Sequence, residues 1–175
     1  ATMESDATFG AVAASFNSNT VASLTYSTVV ANTAVLAAGV GQTFALTTAT
    51  DGAAVAGTTK DDVYSAIVDL ATTNSTLTSS DNIAAGAGAD SLTITATGTG
   101  AESVTGVTTS GLEAISITSL STGAGTLTID AALMAGVTSI AANNSTAFGE
   151  LAFTNLGALT AASLSANAGD LTLTY

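Results

Sequence analysis

The chain has 175 residues and a formal charge of −12, from thirteen carboxylates against one lysine, and it contains no cysteine, histidine, arginine or proline. This composition excludes disulfides, thiolate or imidazole metal sites, a Ser-His-Asp triad and an arginine clamp on phosphate. Because these residue types are missing, we predict that the protein is not an enzyme. The acidic balance repels nucleic acid and anionic lipid and favours divalent cations, so we also predict that the protein does not bind nucleic acid.

Residues 1–43 differ in pattern from the rest of the chain. The apolar residues Phe9, Val12, Ala13 and Phe16 suggest a short amphipathic helix, whereas residues 22–30 alternate like a strand. We predict a mixed N-terminal arm, which either packs on the end of the following domain or adds a strand to a neighbouring subunit. The apolar run over residues 28–40 is shorter than the roughly 20 residues of a membrane span, so no transmembrane segment is predicted.

Residues 85–93 carry the most specific motif. They read Ala-Gly-Ala-Gly-Ala-Asp-Ser-Leu-Thr, which matches the calcium-binding template G-G-x-G-x-D-x-U-x at every fixed position except the first glycine. In that template Asp90 is a ligand and Gly86 and Gly88 turn the backbone so that its carbonyls face the ion. The D-x-U element recurs nine residues upstream at Asp81. The alternative is that both aspartates cap loops as Asx-turns.

Three further carboxylates precede this motif. Asp51, Asp61 and Asp62 are candidates for a second calcium site, and the alternative is that they are solvated turn residues or helix caps.

Residues 61–71 are predicted to form a helix or an irregular excursion. Val63, Ile67 and Leu70 are spaced i, i+4 and i+7, which places them on one face of a helix.

From residue 92 onward, short apolar triplets recur in two interleaved series. The first series consists of Leu92-Thr93-Ile94, Ile115-Ser116-Ile117, Thr138-Ser139-Ile140 and Ala162-Ser163-Leu164. The second consists of Leu127-Thr128-Ile129, Leu151-Ala152-Phe153 and Leu171-Thr172-Leu173, with Val104 as a poorer match at its start. Each triplet points two side chains inward and one outward on a strand. The pattern predicts an all-β fold, a right-handed parallel β-solenoid of roughly 23 residues per coil, with an antiparallel β-sandwich as the alternative.

The run over residues 44–95 resembles bacterial surface-layer and RTX-like exoproteins. The family pattern F-x-L-T-T-G-x-D reads FALTTATD at residues 44–51, G-T-x-x-x-D-x-[FY] reads GTTKDDVY at 57–64, and L-T-x-x-D-x-[IL] reads LTSSDNI at 77–83. The resemblance implies a secreted protein with Ca²⁺ held between β-roll turns by aspartates and glycine carbonyls. The chain departs from the pattern at Ala49 and Lys60, as well as at the first template glycine.

Together these features predict an extracellular structural protein of the bacterial cell surface, a surface-layer or filament subunit that assembles with copies of itself and is stabilised by Ca²⁺. Its expected parts are an arm at 1–43, calcium-binding turns at 44–93 and a solenoid at 92–175. Two alternatives remain. One is a pilus-like fibre subunit joined by N-terminal strand donation, and the other is a polysaccharide-binding adhesin or RTX exoprotein fragment with cell-surface polysaccharide as its partner.

Overall fold

The computed structural model describes residues 41–52, 55–71, 74–166 and 168–175. The chain divides into two compact units, residues 1–40 and 41–175, and only the second contains described residues. The helix predicted around Phe9 and the strand predicted over residues 22–30 therefore lie outside the described residues.

The described residues form short strands that return repeatedly to the same three faces. The strands are β1 (Thr43–Ala45), β2 (Val63–Asp69), β3 (Asn82–Ala84), β4 (Ser91–Thr97), β5 (Glu102–Val104), β6 (Thr108–Ser110), β7 (Ala114–Ser119), β8 (Thr126–Asp130), β9 (Ser139–Asn143), β10 (Glu150–Thr154), β11 (Ala161–Ser165) and β12 (Leu171–Leu173). The first sheet has the order β1-β2-β4-β7-β9-β11, the second β12-β10-β8-β5, and the third β3-β6. Each neighbouring pair is parallel.

Alternation with a period of two explains why these segments are strands. In β4, for example, Leu92, Ile94 and Ala96 are buried and the hydroxyl-bearing residues between them face outward. No single coil can bury its own apolar row, so the coils stack and their inward side chains form one continuous core. The predicted parallel β-solenoid is confirmed, and the parallel pairing excludes the antiparallel sandwich.

The strand register confirms one series of repeats and corrects the other. The three triplets of the second series pair as predicted, and Val104, for which no partner was predicted, pairs with Ile129. In the first series the third triplet was wrong by two residues, because Ile115 pairs with Ile140 and not with Thr138. The coil from Ala114 to Ser139 is 25 residues long, whereas the coil from Ser91 to Ala114 has 23. The longer loop before β9 moves the next inward-facing residue two positions along the chain. A fixed repeat of 23 residues therefore misses it.

The prediction of a helix at residues 61–71 was wrong. Residues Val63–Asp69 form β2, in which Tyr64, Ala66 and Val68 are buried while Ile67 is 47% exposed. A spacing of four places Val63 and Ile67 on one side of a strand as well as of a helix. Pairing with β4 along the whole length of β2 decides between the two. The chain after β2 is irregular, and there the Thr76 and Leu77 N–H groups both donate to the Ile67 carbonyl.

This correction predicts that two neighbouring substitutions differ strongly in their effect on stability. Val68→Asp places a carboxylate in the core and is expected to lower the free energy of unfolding by about 4 kcal/mol or more. Ile67→Asp changes an exposed side chain and is expected to have an effect within about 0.5 kcal/mol. Urea unfolding followed by circular dichroism measures both. A larger loss of unfolding free energy for Ile67→Asp than for Val68→Asp would contradict the strand and favour a helix at residues 61–71.

The last strand of the first sheet, β11, differs from the strands before it. All five of its residues are exposed, and Leu164, which faces inward, is 54% exposed. Its register partner in β9, Ala142, is fully buried. Because β11 ends the order of its sheet, its outer edge and the apolar row beside it have no described strand over them.

Candidate metal centre

Three loops before β3 are closed by the same contact between a threonine and an aspartate. In each loop the aspartate carboxylate accepts the backbone N–H and the side-chain hydroxyl of one threonine. The N–H contacts are 2.6 Å for Thr47 and Asp51, 2.5 Å for Thr58 and Asp62 and 2.6 Å for Thr78 and Asp81, and the hydroxyl contacts are 3.1, 3.1 and 2.9 Å. An aspartate side chain is short, so its carboxylate can accept nearby backbone N–H groups and replace the hydrogen bonds that a regular strand would supply. These aspartates therefore define the shape of the loops.

The carboxylates also connect one coil to the next. We define the first carboxylate row as Asp62, Asp90 and Glu113, each of which immediately precedes a strand of the first sheet. The Asp62 N–H donates to Asp90 Oδ1 at 2.7 Å, and the Asp90 N–H donates to Glu113 Oε2 at 2.8 Å. The second carboxylate row is Asp51 and Asp81, in which the Asp51 N–H donates to Asp81 Oδ1 at 2.9 Å. Each row pairs corner N–H groups of one coil with carboxylates of the next.

Asp62 accepts three donors, as Asp81 does. Its carboxylate accepts the Gln42 N–H at 2.6 Å in addition to both groups of Thr58. Burial raises the pKa of Asp62, but the Gln42 and Thr58 backbone N–H groups and the Thr58 hydroxyl outweigh it, so the pKa lies below its ordinary value. The charged form of Asp62 is therefore the one that suits the fold.

Asp90 breaks the pattern of the other buried aspartates. The residue four positions before it is Gly86, where Asp51 and Asp62 have a threonine. Its Oδ2 atom is buried and, with the Tyr64 hydroxyl and Ser119 Oγ, is one of three buried side-chain atoms without a hydrogen-bond partner among the described residues. Burial raises the pKa of Asp90, and the negative charges of Asp62, Glu113 and Asp61 raise it further against the effect of the Asp62 N–H.

The Tyr64 hydroxyl lies in the same electrostatic environment. Burial raises the pKa of Tyr64 to about 12, and the negative charges of Asp62 and Asp90 contribute to the rise. The tyrosine ring stacks on Phe44 with ring centroids 5.0 Å apart. The region between β2 and β4 thus contains two buried polar atoms, Tyr64 Oη and Asp90 Oδ2, that have unused hydrogen-bonding capacity.

Gly86 and Gly88 are needed because the corners of adjacent coils stack backbone against backbone. A Cβ on Gly86 would overlap the Thr58 carbonyl oxygen, and one on Gly88 would lie 2.5 Å from the Lys60 carbonyl. Both glycines also have positive φ angles, +98° and +149°. Close approach and backbone conformation therefore account for these glycines without a metal ion.

The sequence-predicted ligands do not converge on one centre. Asp81 and Asp90 belong to different rows, because the eight residues between them lead from the third sheet to the first and do not complete a coil. Asp61 is exposed and accepts the Ala89 N–H at 2.8 Å. Over residues 41–52, 55–71, 74–166 and 168–175, no three His, Cys, Asp or Glu side chains form a group that could hold a metal ion.

These contacts provide a test of fit for calcium, which takes six to eight oxygen ligands. Both carboxylate oxygens of Asp51, Asp62 and Asp81 accept N–H or O–H donors, so an ion would have to share those oxygens with the donors. The free buried oxygen is Oδ2 of Asp90. The residues as placed do not form a calcium shell, and calcium binding stays a prediction.

Sequence reasoning missed four members of these rows and loops. The three threonines were quoted as positions of the family pattern but were given no role, and Glu113 was not linked to Asp90. One signal was available, because Thr47, Thr58 and Thr78 each stand three or four residues before an aspartate. The link to Glu113 depends on strand register and had no local signal.

A groove of about 460 Å³ lies on another part of the surface, between the loops at residues 131–138 and 155–158. Its walls carry no ionisable side chain, and Met134 and Leu156 are its largest residues. The groove therefore offers no group for acid–base or metal chemistry.

In the part of the chain that the structure describes, no helix is long and apolar enough to cross a membrane. No family model, curated protein or solved structure matches this chain.

Proposed function

We propose that this chain is an extracellular structural subunit that assembles with copies of itself into a surface layer or filament. The observation that carries the proposal is the stack of parallel coils, in which carboxylates of one coil accept backbone N–H groups of another. In such a stack each coil is covered by the next through parallel strand pairing. Assembly between subunits extends the same pairing beyond one chain.

The use of the buried polar groups supports a structural role. The carboxylates of Asp51, Asp62 and Asp81 accept loop N–H groups. Those of Asp62 and Asp81 also accept a backbone N–H of the neighbouring coil, from Gln42 and Asp51. These carboxylates therefore hold the backbone in place. The extracellular location rests on the resemblance of residues 44–95 to surface-layer and RTX-like proteins.

Calcium is part of the proposal through the charge of the chain. Subunits with a net charge of −12 repel one another, and a divalent cation reduces that repulsion. Asp90, which keeps a free buried oxygen beside Asp61, is where an added ion has the least to displace. We expect millimolar CaCl₂ to raise the melting temperature and promote assembly, and EGTA to reverse both.

The calcium experiment compares thermal melting and negative-stain images in CaCl₂, in MgCl₂ and in EGTA. An effect of CaCl₂ that MgCl₂ does not reproduce supports a calcium site. Identical particles and identical melting in all three solutions would remove calcium from the proposal and leave assembly untouched.

Assembly itself is tested with the full chain by negative-stain electron microscopy and light scattering over a range of concentrations. Layers or filaments support the proposal, and a monomer at all concentrations and calcium levels contradicts it. Leu24→Asp addresses the strand-donation alternative, since a charge in the predicted donor strand should release monomers only if that strand joins the subunits. Glycan-array binding by a stable monomer would favour the adhesin alternative.

A further inference from the structure

The Asp62 carboxylate is held by donors from two coils. It is fully buried and accepts the Thr58 N–H at 2.5 Å and the Thr58 hydroxyl at 3.1 Å, both from its own loop. The third donor is the Gln42 N–H at 2.6 Å, which belongs to the coil that contains β1. We call such a set of three donors around one buried carboxylate a carboxylate cradle.

The same carboxylate cradle recurs around Asp81. This aspartate is also fully buried, and it accepts the Thr78 N–H at 2.6 Å and the Thr78 hydroxyl at 2.9 Å. Its third donor is again a backbone N–H of the coil that contains β1, from Asp51 at 2.9 Å. Two corners of the stack therefore use one arrangement, in which a threonine closes the loop and a neighbouring coil completes the donor set.

The carboxylate cradle suits an anion and opposes a cation. Its N–H and O–H groups point their positive ends at the carboxylate, which favours the charged form of the aspartate. A carboxylate has about four lone-pair sites, and each cradle occupies three of them. A calcium ion takes six to eight oxygen ligands and would face the positive ends of the same donors. Among the described residues, neither aspartate belongs to a group of three side chains that could hold a metal ion.

We propose that Asp62 and Asp81 are bound as anions by their carboxylate cradles, and that these contacts join the coil of β1 to the coil of β2 without a metal ion. A cradle whose aspartate is removed then becomes a binding site for a small carboxylate such as formate. For Asp81, the calcium prediction from the sequence is the competing hypothesis. Asp90 differs from both, because its Oδ2 atom has no donor among the described residues. The inference does not rest on the proposed function, since it concerns contacts within one chain.

Amide hydrogen exchange of the unaltered chain tests the metal-free contacts. The backbone donors of the two cradles are the N–H groups of Gln42, Asp51, Thr58 and Thr78. In EGTA we expect them to exchange at least tenfold more slowly than the N–H of Ala49, an exposed residue whose N–H donates only to a side-chain hydroxyl of its own loop. Slow exchange that requires CaCl₂, or fast exchange of these donors in both solutions, overturns the inference.

Formate tests the cradle as an anion site. Asp62→Ala empties one cradle, and Asp90→Ala is the matched control, because Asp90 is equally buried but accepts one N–H, from Asp62, among the described residues. Compared with sodium chloride of the same concentration, sodium formate is expected to recover at least half of the melting temperature lost in Asp62→Ala and none of that lost in Asp90→Ala. Equal effects on the two variants, or no recovery in Asp62→Ala, overturn the anion site.

Asp81→Asn separates the cradle from a calcium site. The new amide group is itself a donor and faces the donors of the cradle, so the melting temperature should fall by the same amount in CaCl₂ and in EGTA. If Asp81 is a calcium ligand, Asp81→Asn instead abolishes the stabilisation that CaCl₂ gives to the wild-type chain, and that outcome overturns the inference. A chain that stays monomeric contradicts the proposed function and leaves the cradles intact.

Discussion

Asp62→Ala is expected to lower the free energy of unfolding by about 3–5 kcal/mol. The carboxylate is fully buried and accepts the backbone N–H groups of Gln42 and Thr58, and its loss leaves these part-buried donors unpaired at about 1–3 kcal/mol each. For a domain of this size, the fall corresponds to a melting temperature lower by roughly 10 °C. Circular dichroism melts measure the change, and the presence of EGTA separates it from any loss of calcium.

Asp130→Ala is the control for this result. Asp130 also accepts hydrogen bonds, from the Asn155 side chain and the Ala132 N–H, and its pKa is lowered mainly by the Asn155 contact. Its position is solvent-accessible, so water replaces the carboxylate as the acceptor. We expect a much smaller shift than for Asp62→Ala. Equal shifts for the two variants would mean that the carboxylate rows add nothing beyond an ordinary surface hydrogen bond.

Gly86→Ala is expected to destabilise the fold by about 2–5 kcal/mol, although it adds only one methyl group. The added Cβ would overlap the Thr58 carbonyl oxygen, so the stacked corners would have to separate. The φ angle of +98° adds backbone strain of about 1–3 kcal/mol in any residue with a side chain. Urea unfolding and the melting temperature both report the loss.

Gly157→Ala provides the comparison, because a Cβ there meets nothing within 4 Å. That substitution should leave stability unchanged or raise it slightly, by restricting the unfolded chain. The contrast also bears on calcium. If Gly86 served only to turn its carbonyl toward an ion, Gly86→Ala would matter in CaCl₂ and be harmless in EGTA. We expect the same loss of stability in both solutions.

The alternation of side chains made much of the solenoid predictable. Triplets such as Leu127-Thr128-Ile129 carry their own evidence of which residues face inward, and their recurrence predicts stacking. The third sheet was not predicted, since the three-residue strands β3 and β6 are too short for a pattern. The register between Ile115 and Ile140 was also out of reach, because loop lengths vary between coils and only the packed neighbour selects the pairing.

The candidate site was predictable residue by residue but not in its arrangement. The motif directed attention to Asp81 and Asp90, and both are fully buried at loop corners. What each carboxylate contacts depends on the coil beside it, as with the bond from the Asp90 N–H to Glu113. Asp81 caps its loop by accepting the N–H of Thr78, three residues before it, whereas an Asx-turn uses a backbone group two residues on. Calcium stays a prediction at Asp81 and Asp90.

By itself the sequence determined that this protein is an acidic, all-β stack of coils without the residues of the common catalytic sites, since composition and period-two alternation are local properties of the chain. The tertiary structure alone decided that β2 is a strand, that the carboxylates fall into two rows, and that Ile115 pairs with Ile140. Each of these depends on which coil lies beside which. That arrangement is set by burial and backbone pairing between residues more than twenty positions apart, and no short stretch of sequence records it.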